Sequence, residues 1–149
     1  MTNVKSPLEL IICFIWLGFV CAISFMEAWI KFNAPGITIS MGLSIGRLVF
    51  FALNKMEIIF AVLVFIIHIR NSSVLLELKN LPLLVSILIL IIQTFWLLPT
   101  LDNRAELIIQ GKHIHPSNLH FYYVGLEVVK VLCIFIFGVS LFNPIQNDE

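Results

Sequence analysis

The sequence predicts an all-α, polytopic integral membrane protein, folded as a single antiparallel bundle of four transmembrane helices. Of its 149 residues, 60% are hydrophobic and 12% are charged, whereas a soluble domain carries about twice that charged fraction. The apolar residues form four runs, and each approaches the roughly 20 residues with which a helix crosses a bilayer. Because the connections between the runs are short, we expect successive helices to be antiparallel neighbours.

Each predicted span has its own local signals. In chain order, the spans are 8–30, 44–69, 81–98 and 119–142. The first is longer than the roughly 7–15 apolar residues of a signal-peptide core, so we expect it to be retained as a helix. The third carries Pro82 in its first turn, where a missing N–H costs little. The fourth stops at Asn143 and Pro144, which break the helix before an acidic tail.

The connection between the third and fourth spans is long enough to hold structure of its own. Its segment LDNRAELIIQG offers Asp102 as an N-cap, continues with helix-forming residues and closes with Gly111. We therefore predict a separate short helix there, lying at the membrane interface.

Polar side chains form a stripe along the second span. A helical residue advances by about 100°, so residues seven apart lie within about 20° of each other. Arg47, Asn54 and Glu57 therefore share one narrow face, and His68 lies on it farther along. Lipid cannot satisfy such groups, so this face is expected to point into the protein. Lys55 lies off the face, where it either pairs with a deep carboxylate or extends to the interface.

The fourth span repeats this pattern. His120, Glu127 and Lys130 have the same offsets as Arg47, Asn54 and Glu57, and Tyr123 falls between them on one face. Glu57 and Glu127 lie roughly 10–15 Å inside their helices at about 1.5 Å per residue. At that depth, opposite charge or protonation must offset the cost of burying a carboxylate.

The first and third spans also have one polar edge each. Glu27 and Lys31 stand near the end of the first span, and Gln93 and Thr100 near the end of the third. In an up-down-up-down bundle these ends meet the polar starts of the second and fourth spans. This arrangement predicts a polar half-cavity that opens beside the first and third connections.

These features favour a small multi-pass protein that binds or moves a small polar solute or ion through a one-sided intramembrane cavity, with proton coupling as one version. The deep glutamates are the expected proton or cation acceptors. The candidate substrate- or ion-binding residues are Glu27, Arg47, Asn54, Glu57, Arg104, His120, Tyr123, Glu127 and Lys130.

Two other functions stay open at this point. The first is an accessory or assembly subunit, whose polar stripe would meet a helix of a larger membrane complex. The second is a membrane metal-binding or redox protein, for which His113, His115 and His120 are candidate copper or zinc ligands. No other cofactor is predicted. Because no nucleophile–base set or nucleotide-binding fingerprint is found, we do not predict an enzyme.

The predicted surroundings are the lipid of a plasma membrane or bacterial inner membrane. Basic and acidic residues number nine each, so no net charge favours nucleic acid as a partner. Gly42 and Gly46 form a GxxxG motif that would suit a homodimer through close helix contact. Five aromatic residues are expected to anchor the helices at the membrane interface: Trp16, Trp29, Trp96, Tyr122 and Tyr123.

Four short motifs carry a resemblance to a known family. They are KFNAPG after the first span, GRLVF in the second, LLPTLDNRAE closing the third and NLHFYYVGLE opening the fourth. With these motifs the chain resembles small, uncharacterised four-helix integral membrane proteins. That family has a eukaryotic member linked to cisplatin resistance and is distantly similar to bacterial copper-resistance membrane domains. The resemblance implies a four-helix fold and metal or small-solute handling, and it singles out Arg47, Arg104 and His120. The intramembrane charges Glu57, Glu127 and Lys130 depart from the family pattern.

Overall fold

Four long helices make up most of the computed structural model, which describes residues 2–4, 6–71 and 77–144. The helices are α1 (Pro7–Asn33), α2 (Ile39–Asn71), α3 (Leu78–Ile109) and α4 (Leu119–Ser140). By length and composition, each is long and apolar enough to cross a membrane. The prediction of an all-α fold built on four such helices is therefore confirmed.

Two of these helices change their winding part-way along. α1 is α-helical over Pro7–Val20 and Ala28–Ile30, a π-helix over Cys21–Glu27 and a 3₁₀-helix over Lys31–Asn33. α3 is a 3₁₀-helix over Leu78–Asn80, α-helical over Leu81–Ile92 and Leu98–Ile109, and a π-helix over Gln93–Leu97. Pro99 follows the second π segment, which fits its lack of an N–H and the clash of its ring with the preceding turn.

The separate interfacial helix predicted after the third span is wrong. α3 runs without a break past the predicted end at residue 98 and continues to Ile109. Asp102 therefore lies inside a helix and caps nothing. The predicted stop at Gly111 is confirmed, because this glycine has a φ of 74° and its N–H bonds to the carbonyl of Ile108.

The second span is also longer than predicted at both ends. α2 starts at Ile39, and the Thr38 side chain accepts a hydrogen bond of 3.2 Å from the backbone N–H of Met41. Such a bond satisfies one of the free donors of a helix start. The helix ends at Asn71, and the following residues, 72–76, lie outside the described part of the chain.

A short strand pair, which was not predicted, joins the two ends of the chain. Strand β1 (Thr2–Val4) pairs antiparallel with β2 (Phe142–Pro144), with Thr2 opposite Pro144. The breaking of the fourth helix before Asn143 is confirmed, since α4 ends at Ser140. The predicted acidic tail lies outside the described residues.

The apolar core occupies the half of the bundle that contains these termini. It includes Trp16 and Val20 of α1, Val64 of α2, Leu83 of α3 and Phe137 of α4. Trp16 has no exposed surface, so its predicted role as an interface anchor is wrong. Tyr123, with 3% of its surface exposed, is likewise buried and not an anchor.

Large apolar side chains cover the outside of the bundle. Leu48, Phe95 and Phe121 are each about three-quarters exposed, at 74%, 80% and 74%. Many further leucine, isoleucine and phenylalanine residues on all four helices are exposed to a lesser degree. An apolar surface of this extent is far larger than the patches that soluble monomers carry.

Candidate functional site

The end of α1 packs tightly on the start of α2. A Cβ atom added at Gly42 would overlap the ring of Phe32, and one added at Gly46 would lie 2.9 Å from Nζ of Lys31. The GxxxG motif is therefore used within the chain, where the two glycines make room for side chains of α1. A homodimer through this motif would have to displace Phe32 and Lys31 from both glycines.

A cavity of about 550 Å³ lies between the four helices beside this contact. Its apolar walls come mostly from α2 and α3. Its polar lining is formed by Lys31, Arg47, Asn54, Thr94, Asp102, His120 and Tyr123. Because His120 is exposed and Arg47 partly so, the cavity reaches the surface at this end. Its position is the one predicted for the polar half-cavity, between the ends of α1 and α3 and the starts of α2 and α4.

Arg47 connects α2 to α3 at the cavity wall. Its guanidinium donates to both carboxylate oxygens of Asp102, at 2.6 and 3.0 Å, and it also pairs with Glu106. Asp102 and Glu106 are one turn apart on α3, so one planar fork reaches both. The side chains of Arg47 and Asp102 keep 29% and 45% of their surface exposed, which leaves this group accessible to a solute in the cavity.

Lys31 supplies the second positive charge of the cavity. It pairs with Glu27 at 3.1 Å, and its Nζ lies 5.6 and 5.1 Å from the ring centroids of Phe32 and Phe50. Aromatic faces attract a cation at such distances. Glu27 therefore contributes to the cavity through Lys31 and does not itself line it.

The inner end of the cavity is closed by three hydrogen-bonding side chains. The Asn54 amide donates to Oγ1 of Thr94 at 2.9 Å, and the Thr94 hydroxyl in turn donates to the carbonyl of Leu90. Tyr123 packs edge-on against Phe50, with ring centroids 5.7 Å apart. Asn54 and Tyr123 are both buried, so the polar groups at this end of the cavity are shielded from water.

A fully buried ion cluster, which we call the inner ion site, lies beyond Tyr123. It consists of Glu57 on α2, Gln93 on α3, and Glu127 and Lys130 on α4. The Lys130 ammonium lies 2.6 Å from Oε1 of Glu57, 2.7 Å from Oε1 of Gln93 and 3.1 Å from Oε1 of Glu127. None of these four side chains has more than 1% of its surface exposed. The site holds two carboxyl groups against one ammonium.

The inner ion site joins all four helices. α1 contributes Trp16, whose indole N–H donates to Oε1 of Glu57 at 3.0 Å. α3 contributes Gln93, whose amide also donates to Oε1 of Glu127 at 3.2 Å. Because buried charges need partners, these bonds fix the rotation of each helix about its axis.

Two oxygen atoms beside the inner ion site have unused hydrogen-bonding capacity. Within the described part of the chain, Oγ of Ser24 and Oε2 of Glu127 are buried and have no hydrogen-bond partner. Tyr123 lies beside both residues. Ser24 and Gln93 both belong to the π segments of their helices, a form of winding that is frequent at functional sites.

A second buried polar pair lies at the opposite end of the bundle. Nδ1 of His68 is 2.7 Å from Oε1 of Glu9, and both side chains are buried. His68 also packs against the ring of Phe137. The pair joins the start of α1 to the end of α2 and lies about 11 residues from Glu57 along α2, or roughly 16 Å at about 1.5 Å per residue.

The predicted site residues fall into three groups. Arg47, Asn54, His120 and Tyr123 line the cavity, and Glu57, Glu127 and Lys130 form the inner ion site. Arg104 lies outside the cavity lining and donates to the backbone carbonyl of His115 at 2.5 Å, so it holds the connection between α3 and α4.

The predicted histidine ligands do not form a cluster. His113 and His115 are exposed in that connection, while His120 lies on α4. Among the described residues, no three histidine, cysteine, aspartate or glutamate side chains converge as a set of metal ligands.

Several residues that contribute to these sites were not predicted to do so, among them Thr94 in the cavity lining. Glu9 and Trp16 stand seven residues apart, in register with Ser24 and Glu27, so the helical period could have placed them on the inner face of α1. Asp102 and Glu106, the partners of Arg47, were assigned instead to a separate interfacial helix.

No protein-family model matches this chain, and neither a curated protein nor a solved structure does. The resemblance to four-helix membrane proteins therefore stays a prediction.

Proposed function

We propose that this chain is an integral membrane protein that binds a small polar solute or ion in its one-sided cavity and moves it toward the inner ion site. The observation that carries this proposal is that Tyr123 both lines the open cavity and lies beside Glu127 of the inner ion site. Intramembrane ionisable residues of this kind mark ion and substrate pathways in membrane proteins.

The exposed apolar surface supports insertion in a bilayer, since lipid would cover it at no cost. Contacts at both ends of the helices support an antiparallel arrangement. Glu9 at the start of α1 meets His68 near the end of α2. Arg47 near the start of α2 meets Asp102 in the last part of α3.

The chemistry of the lining points to a solute with hydrogen-bonding or charged groups. Arg47 and Asp102 stand together at the wall with exposed surface, and Lys31 and His120 face the same space. A cavity of about 550 Å³ is within the range of small-molecule sites, which is about 300–1,000 Å³.

The contacts within the inner ion site weaken the case for an accessory subunit. That hypothesis assigned the polar stripes to a partner's helix, whereas here Glu57, Gln93 and Lys130 satisfy one another inside one chain. We therefore favour a protein that acts through its own cavity.

Cysteine labelling would test whether the cavity is open to one side only. In a background without Cys13, Cys21 and Cys133, we would compare Thr94→Cys, which lies in the cavity lining, with Leu90→Cys, which lies one turn deeper in the core. A membrane-impermeant maleimide should modify the first variant from one side of oriented vesicles. The second variant should stay unmodified from both sides.

Movement of solute would be tested in proteoliposomes, with sodium chloride, glycine and glycerol as probes. We expect at least one probe to enter faster than in protein-free vesicles, and Thr94→Trp, which fills the cavity, to remove that difference. Labelling of Thr94→Cys from both sides, or equal entry of all three probes with and without protein, would contradict the proposed function.

A further inference from the structure

The protonation of the inner ion site can be worked out from its hydrogen bonds, starting with Lys130. Its Nζ has three oxygen neighbours within 3.1 Å, one each from Glu57, Gln93 and Glu127. An ammonium has three donors and no acceptor. Three acceptors around one nitrogen therefore correspond to the charged form, and Lys130 supplies a single positive charge.

That charge is matched best by Glu57. Its Oε1 lies 2.6 Å from Nζ of Lys130 and accepts a hydrogen bond of 3.0 Å from the Trp16 indole, two short contacts at a single oxygen. Glu127 receives weaker bonds at Oε1, at 3.1 Å from Lys130 and 3.2 Å from Gln93. Short bonds with a charged donor are those of an ionised carboxylate, so Glu57 and Lys130 form the ion pair.

A negative charge on Glu127 would then have no counterpart. The charged or titratable groups facing it are Glu57 on α2, and Lys130 and Tyr123 on α4. α1 and α3 face it with the uncharged side chains of Ser24 and Gln93. With Lys130 already matched by Glu57, the site keeps one excess negative charge unless something neutralises Glu127.

The unpartnered atoms show where a neutralising particle would sit. Among the described residues, Oε2 of Glu127 and Oγ of Ser24 are buried without a partner. A protonated carboxyl group carries its O–H on one oxygen and has no charge. A proton on Oε2, the oxygen that has no hydrogen-bond partner among the described residues, therefore removes the excess charge without displacing a bond of Oε1.

We propose that Glu127 holds this proton on Oε2, while Glu57 and Lys130 remain an ion pair, and that the proton exchanges with the cavity through the Tyr123 hydroxyl. Tyr123 both lines the cavity and lies beside Glu127 and Ser24. The inference rests on the proposed function, because it makes Glu127 the proton-carrying group of the same polar route. No bond to carbon changes; a proton moves between carboxyl, phenol and water oxygens.

Infrared spectroscopy of the protein reconstituted in lipid at neutral pH would detect this proton. The wild-type protein should show the carbonyl stretch of a protonated carboxyl group. Glu127→Gln should lose it, whereas Glu9→Gln, which alters a buried carboxyl group outside the inner ion site, should keep it. Lys130→Gln should about double the signal, because both carboxyl groups must then be neutral. A wild-type protein without this band, or a band that survives Glu127→Gln, would overturn the proposal.

Thermal unfolding would establish which of the two glutamates is neutral. Glutamine closely imitates a protonated carboxyl group, so Glu127→Gln should keep the wild-type midpoint. Glu57→Gln should lower the midpoint, because it removes the ionised partner of Lys130. The reverse order would place the proton on Glu57 and refute the assignment.

Two further measurements test the route through Tyr123 and distinguish a proton from a metal ion at Glu127. Tyr123→Phe should keep the infrared band but slow its shift in deuterium oxide; an unchanged rate would refute the route through Tyr123. If sodium raises the thermal midpoint of the wild type above its value in choline, but does not do so in Glu127→Gln, a bound sodium ion and not a proton neutralises Glu127.

Failure of this inference is distinguishable from failure of the proposed function. Solute entry without the infrared band would refute the proton on Glu127 and leave the proposed function standing. The band without entry of any probe would support the proton on Glu127 and refute the proposed function.

Discussion

Replacing Lys130 with methionine should destabilise the bundle strongly, and the surroundings of Lys130 set the size of the effect. The side chain has 0% exposed surface and serves three acceptors. Removing one partner of a buried ion pair costs about 3–5 kcal/mol, because Glu57 loses its counter-charge and must then be neutralised by a proton. Methionine has nearly the same length and fills the space, so little of the loss comes from a cavity.

The expected loss of stability in Lys130→Met can be tested with a double-mutant cycle. In Lys130→Met/Glu57→Gln both charges of the pair are gone, and Trp16 can still donate to the glutamine oxygen. We therefore expect the double variant to regain most of the lost stability, with a coupling energy of about 2–3 kcal/mol. The free energy of unfolding would be measured by denaturant titration in detergent micelles, followed by tryptophan fluorescence.

Lys55 provides a matched control for the same substitution. It lies on the same length of helix as Glu57, but its side chain is exposed and its Nζ lies 5.0 Å from the ring centroid of Phe51. Lys55→Met should change the free energy of unfolding by no more than about 0.5 kcal/mol. If Lys130→Met costs no more than this control, or if the two changes in the double variant simply add, the reasoning about the inner ion site is refuted.

Three smaller perturbations test other contacts, each by the same unfolding titration. Trp16→Phe should lower the free energy of unfolding by about 2–3 kcal/mol, since it removes a donor to a buried carboxylate. An average substitution costs about 1 kcal/mol, so a loss below about 0.5 kcal/mol would contradict the bond to Glu57. Gly42→Ala should cost about 1–3 kcal/mol, because its Cβ would overlap the ring of Phe32. Gly46→Ala should cost less, because its Cβ meets only the flexible end of Lys31. Equal losses would argue against the close contact between α1 and Gly42. Arg47→Gln should lower the free energy of unfolding by less than Lys130→Met does, because this ion pair is partly exposed to solvent. No loss at all would mean that the link between α2 and α3 is not formed in membrane mimetics.

The inward orientation of the polar stripes was predictable from the helical period alone. Asn54, Glu57 and His68 were expected on one face pointing into the protein, and all three are buried. The same holds for Glu127 and Lys130 on α4. A residue's angular position on a helix depends only on its number in the chain, and lipid rejects charge at any such position.

The partners of these residues were only partly predictable. Arg47, Lys55 and Lys130 were all available to a deep glutamate, and the structure pairs Glu57 with Lys130 while Arg47 bonds to α3. Spacing along one helix cannot distinguish such alternatives, because the distance between side chains on different helices depends on the rotation and relative height of both.

Local signals were also misread where a longer-range contact decides the structure. The segment after residue 98 has the composition of a short amphipathic helix, and it is indeed helical, but it continues α3. Its carboxylates Asp102 and Glu106 are held by Arg47. Trp16 resembles an interface anchor by residue type, yet it lies in the core, where its indole N–H donates to Glu57.

By itself, then, the sequence determined four long apolar helices, the face that each turns inward, and a polar end for a cavity. These properties follow from hydrophobicity and a period of about 3.6 residues, which act within one helix. Only the tertiary structure decided that Lys130 joins two glutamates and a glutamine, that Arg47 bonds to α3, and that Glu9 meets His68. Those choices depend on how four surfaces pack together, since each buried polar group has to find a partner on a different helix.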